Sequence, residues 1–108
     1  MSYRDVATPE EALNILLEAD RLVNGDRGTA YGHPLDNHST TGDLFHEFLR
    51  RKYGRTCPAI TAEDVCIFNM LQKIARLANT PDHLDSLVDI AGYAANYQMI
   101  LDKRKEAK

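Results

Sequence analysis

Apolar positions in this chain recur at intervals of three and four, the spacing of one helix face, and nowhere alternate as a half-buried strand requires. Leu13, Leu16, Leu17 and Val23 follow that spacing behind a start signal, Thr8-Pro9-Glu10-Glu11. Thr8 can cap, Pro9 suits the first helical position, Glu11 closes a capping box, and Gly25 is a natural stop. Leu44, Phe45, Phe48 and Leu49 line a second helix, expected from about Asp36 to Tyr53 and ended by Gly54. Its first turn is poorly defined, because Pro34 to Gly42 is short of helix formers. Thr61-Ala62-Glu63-Asp64 supplies a cap and an acidic first turn for a third helix running to about Ala78. Thr80-Pro81 opens a fourth, which runs to about Lys103. The pattern predicts an all-α, four-helix bundle-like domain ending in an antiparallel helical hairpin, since so short a turn makes the last two helices neighbours.

The third and fourth helices are apolar over most of their circumference. On the third, Ile67, Met70, Leu71, Ile74, Ala75 and Ala78 cover a broad arc, leaving Asn69, Gln72, Lys73 and Arg76 the remainder. On the fourth, Leu84, Leu87, Val88, Ala91 and Ala95 make the main face, and Asp85, Asp89 and Asn96 form one stripe at i, i+4 and i+11. A helix apolar nearly all round is buried on more than one side. In a chain of 108 residues that predicts a second subunit, a homodimer or a higher homo-oligomer. The small residues of Ala91-Gly92-Tyr93-Ala94-Ala95 would let another helix approach closely.

Length allows one core, so residues 1–108 are expected to form a single domain, with 1–7 and 104–108 as flexible ends. A formal net charge of -3 and a pI near 5.7 disfavour a non-specific nucleic-acid binder, which needs a basic face. Arg50, Arg51, Lys52 and Arg55, like Lys103, Arg104 and Lys105, read instead as helix C-terminal charges. No run is long enough to span a membrane, and the N-terminus has no signal-peptide core. Cys57 and Cys66 lack CxxC spacing and form no zinc pattern with the histidines, so a reduced, cytoplasmic setting is expected.

Charges set in apolar helices are costly unless paired or used. Counted outward from the tight turn, Arg76 falls nearly level with Asp85 and Lys73 with Asp89, within about 3 Å at ~1.5 Å per residue. Two readings follow. The groups can be structural ion pairs, worth about 0–1 kcal/mol each. They can also form a site, with the cations for phosphate and Asp85 and Asp89 sharing a divalent metal such as Mg²⁺. A second candidate is the glycine-rich segment Asp26 to Pro34, where backbone N–H groups can meet an anion ahead of a helix. There Arg27 can contact a phosphate and Tyr31 can stack on a base. The same segment also reads as a plain connector.

The string Arg27-x-x-x-Tyr31-Gly32-x-Pro34-x-x-Asn37, then Ile60-Thr61-x-x-Asp64-Val65, Leu71-x-Lys73-Ile74-Ala75-Arg76-Leu77 and His83-x-Asp85-Ser86-x-x-Asp89-Ile90-Ala91-Gly92-Tyr93-Ala94, resembles a family of short phage and prophage proteins. The likeness covers about Ala19 to Tyr97. That family is in turn distantly similar to the all-α nucleoside-triphosphate pyrophosphohydrolases of the MazG type, oligomers whose acidic residues hold Mg²⁺. The resemblance implies a nucleotide-binding protein of the bacterial host's cytoplasm. As a hydrolase it would hold Mg²⁺ through Asp85, Asp89 and Glu47 and neutralise phosphates with Lys73, Arg76 and Arg27, with Tyr31 against the base. Asp82-x-x-Asp85 and Asp89 approach the family's ExxD motif; against its EExxE motif the chain offers Glu10-Glu11 without the third glutamate, and Asp43 and Glu47 on the second helix. A non-catalytic nucleotide-binding or sequestering protein and a ligand-free structural oligomer are the alternatives.

Overall fold

The computed structural model describes residues 9–25 and 32–107, with side chains from Asn14 onward in the first stretch. They form four helices, α1 (Pro9–Asn24), α2 (Pro34–Tyr53), α3 (Ala62–Asn79) and α4 (Leu84–Glu106), and no strand among the described residues. The all-α expectation holds. Thr8, the expected cap of α1, lies outside the described residues.

Helix α2 starts two residues before the expected Asp36, because His33 caps it: Nδ1 accepts from the Leu35 N–H at 3.0 Å, and Pro34 takes the first turn, where its missing N–H costs nothing. Poor helix formers are accommodated by back-bonding, Thr40 and Thr41 donating to the carbonyls of Asp36 and Asn37 at 3.0 and 3.2 Å. Gly42, mid-helix, is required by close approach: a β-carbon there would sit 2.5 Å from the Ile60 carbonyl oxygen. Helix α3 opens at the expected cap, and Thr61 and Asp64 there complete a full capping box.

The fourth helix is a correction. Thr80-Pro81 makes the turn, and His83 caps α4, its ring Nδ1 accepting from the Ser86 N–H at 3.3 Å. The helix also runs past Lys103 to Glu106, and Arg104, expected in a loose end, pairs with Glu63 of α3 at 2.8 Å.

Helices α3 and α4 form the antiparallel hairpin; α1 packs along α4 and α2 along α3, while α1 and α2 have no comparable contact with each other. Val23 of α1 stands over Gly92, so the small-residue stretch of α4 admits a helix of the same chain. The innermost core is small: Ala62, Cys66 and Ile100, with Leu35 and Tyr97 packed against them. Burial, with the nearby Glu63 charge adding to it, pushes the Cys66 thiol up to about 11, so it is an inert core group.

Candidate functional site

Because α1 rides on α4 and α2 on α3, a gap is left between the two outer helices. It is a cleft of about 730 Å³, floored by the hairpin. Helix α1 contributes Ala19, Leu22, Val23 and Asn24. The start of α2 contributes Gly32, His33, Pro34, Asn37, His38 and Thr41; α3 contributes Val65, Asn69 and Lys73. Helix α4 completes it with Val88, Asp89, Gly92, Tyr93, Asn96 and Met99. The volume falls in the range of small-molecule sites, roughly 300–1,000 Å³.

The polar stripes of the hairpin helices meet in this cleft. Lys73 Nζ lies 3.1 Å from an Asp89 carboxylate oxygen, with their side chains only 20% and 17% exposed. Asn69 stands one turn before Lys73 and Asn96 two turns after Asp89, so polar interruptions on both helices face the same space. Asn37 and Tyr93 add further hydrogen-bonding groups. Among the described residues, the cleft wall therefore carries one cation and one carboxylate, paired with each other, among several neutral polar side chains.

The second expected pair does not form. Arg76 and Asp85 are both exposed, and neither lines the cleft. The turn before α4 is longer than expected, which leaves Asp85 in the first turn of α4, where a carboxylate complements the helix dipole. Glu47 lies elsewhere on α2, held by Arg50 and Arg51 at 2.8 Å each, and these hydrogen bonds lower its carboxyl to about 2. Asp85, Asp89 and Glu47 are thus not brought together, and no three metal-ligating side chains cluster among the described residues. The described donor set does not fit Mg²⁺, since Asp89 alone of the carboxylates lines the cleft. Arg27 and Tyr31 lie outside the described residues, although Asn24 and Gly32, which flank their segment, line the cleft.

Sequence reasoning missed His38. Its side chain is buried at 8% exposure, and burial holds the imidazole below its ordinary pKa, hence neutral. Nothing in the pattern marks it, since it sits in the segment least regular in helix formers. Asn69 and Asn96 were legible as polar positions, in register with Lys73 and Asp89, on otherwise apolar helices.

Fold and site together define a small all-helical domain with a polar cleft between its outer helices. Residues 14–101 match the model of a domain of unknown function, DUF6378, and the chain belongs to that family. It is 37% identical over 95 residues to the Gene 55 protein of Mycobacterium phage D29, covering 88% of this chain and 58% of that protein. The Gene 55 protein of Mycobacterium phage L5 is 37% identical over 82 residues, 76% of this chain and 49% of that protein. The chain thus spans about half the length of these phage relatives. No solved structure matches. These matches carry the phage-family resemblance and not the more distant one to MazG-type enzymes. Several residues of the resembling motifs prove to be helix caps: Thr61 and Asp64 cap α3, and His83 caps α4 with buried Ser86 against its ring.

Proposed function

We propose that this protein binds a nucleotide in the cleft between α1 and α2. The observation that carries the reading is the cleft wall: paired Lys73 and Asp89, flanked by carboxamides, two imidazoles and a phenol. Such groups match a guest with a planar hydrogen-bonding edge and an anionic end. A phosphate would compete with Asp89 for Lys73, so the ion pair keeps the cation positioned before the guest arrives. Binding without hydrolysis is favoured over the MazG-type reaction, because a Mg²⁺-dependent displacement needs a carboxylate cluster and, among the described residues, Asp89 is the only carboxylate that lines the cleft.

The test is calorimetry of the purified protein against a panel of NTPs and dNTPs, with and without Mg²⁺ or Mn²⁺, alongside an assay of pyrophosphate release. Metal-independent binding without turnover supports sequestration. Metal-dependent release that is lost in a folded Asp89→Asn variant would restore the hydrolase. No binding of any nucleotide overturns both.

A homo-oligomer is the second part of the proposal, and a different observation favours it. Large apolar side chains stand exposed along α2 and α3, among them Leu44 at 68%, Phe48 at 58% and Leu71 at 54%, beside the stacked Phe45 and Phe68. Among the described residues the fully buried core is small beside that surface, and a second copy burying it would supply the missing cover. No described helix is long and apolar enough to cross a membrane, so lipid is not what covers it by spanning. Sedimentation equilibrium tests this directly: a monomer at tens of micromolar overturns it.

A further inference from the structure

We propose that two copies of this chain pair through α3, antiparallel, along the seam Ile67, Leu71, Ile74 and Ala78. The proposal rests on the homo-oligomer reading above and specifies the contact surface and its orientation. All four residues are exposed, Ile67 at 45%, Leu71 at 54% and Ile74 at 51%. They recur at steps of four, three and four, the spacing that keeps one stripe of a helix against another helix. The charges of this stretch lie off the seam: Lys73 turns to Asp89 in the cleft, and Arg76 lies well round the helix. Phe68 borders the seam and stacks on Phe45 of α2, 6.2 Å between ring centroids, so exposed Leu44 and Phe48 continue the apolar face. Beside them a groove of about 380 Å³, lined by Phe45, Ile60 and Phe68, has room for side chains of the second copy.

Area and symmetry name the occupant. At ~200 Å² for a whole large side chain, the exposed parts of this face amount to roughly 700 Å². A stable interface takes about 800 Å² from each partner, so one copy supplies nearly what a dimer needs. The seam also reads alike in both directions. Turned end over end about a two-fold axis, its spacing is unchanged, so Ile67 meets Ala78 of the second copy and Leu71 meets Ile74. A stripe that matches itself is what a homodimer requires and an unrelated partner does not. Charge selects antiparallel over parallel. Gly42 packs on the residues just before α3, so the rest of α2 runs on beyond the α3 start toward Arg50, Arg51, Lys52 and Arg55, of which Glu47 offsets one. Parallel pairing would set two such basic ends side by side. Antiparallel pairing places them at opposite ends of the dimer and opposes the α3 dipoles.

Sedimentation equilibrium of wild type, Leu71→Lys and Leu16→Lys, with circular dichroism to check folding, tests the face. Leu71→Lys sets an unpaired charge in the middle of the seam and is expected to weaken association at least about hundredfold with helicity kept. Leu16→Lys, at an exposed apolar position of α1, is expected to leave association unchanged. A Leu71→Lys variant that associates like wild type overturns the seam and leaves the homo-oligomer reading standing. Equal weakening by Leu16→Lys overturns the seam as well, and a wild type that stays monomeric overturns both. Orientation is read in a Cys57→Ser background by treating Ile67→Cys and Ala78→Cys chains with a short thiol crosslinker, each alone and co-expressed. Crosslinking of the co-expressed pair, and of neither variant alone, supports the antiparallel seam. Crosslinking of each variant to itself means parallel helices and overturns it, as does none at all. Should Leu71→Lys fail to fold, the crosslinking decides.

Discussion

Gly42→Ala sets two effects of opposite sign against each other. By helix propensity alone, alanine in place of a mid-helix glycine stabilises by about 1 kcal/mol. Here a β-carbon would lie 2.5 Å from the Ile60 carbonyl oxygen, 3.2 Å from its carbon and 3.4 Å from the Thr61 carbonyl oxygen. These are backbone atoms immediately before α3, so relief requires α2 to move away from the α3 N-terminus; no side chain can simply rotate. Overpacking of this kind costs about 1–3 kcal/mol, and a contact this short sits at the upper end. The net expectation is a loss of about 1–2 kcal/mol after the propensity gain. For a domain near this size each kcal/mol shifts Tm by roughly 4–8 °C, so a drop of about 5 °C or more should be read by thermal circular dichroism. The matched control is Gly92→Ala, where the added carbon meets, among the described residues, Val23 Cγ2 at 3.5 Å, an ordinary contact. That variant should gain up to about 1 kcal/mol. If Gly42→Ala melts higher than wild type, the close packing of α2 against residues 60–61 is wrong.

Three further outcomes are expected. A double-mutant cycle of Lys73→Met and Asp89→Asn in denaturant should give a coupling of about 1 kcal/mol, above a fully exposed pair because both groups are mostly covered. Asp89→Asn should be the costlier single change, since Asp89 makes a further interaction; coupling indistinguishable from zero would mean the pair does not persist in solution. Thr61→Ala removes the acceptor for the Asp64 N–H at 3.1 Å and should lower stability by about 1 kcal/mol in the same titration. His38, lowered by burial, predicts a pH dependence: below its ordinary value of 6.5 the unfolded chain takes up a proton that the folded chain resists, so stability falls as pH drops from 7 toward 5. His38→Leu should flatten that slope, and an unchanged slope would show that other groups set it.

Local rules carried much of the reading. The cap and acidic first turn at Thr61 to Asp64 were legible because capping joins residues three apart, and such contacts exist wherever the helix forms; the structure closes them into a full capping box. The His33 and His83 caps were not, because histidine is an uncommon cap and the stronger local signal at Thr80-Pro81 drew the boundary three residues early. Lys73 with Asp89 was legible from the antiparallel turn. Arg76 with Asp85 failed because the pairing depended on a turn length that only His83 decided.

The chain by itself determined that it is helical, where α3 begins, and that Lys73 meets Asp89, because those follow from periodicity and near-neighbour geometry. Tertiary structure decided the rest. It laid α1 on α4 and α2 on α3, and so opened the cleft between them. It also buried His38, forced glycine at position 42, and kept Glu47 and Asp85 apart from Asp89. The physical reason is range: a residue's burial and its distant partners depend on how whole helices pack, and no spacing along one helix encodes that.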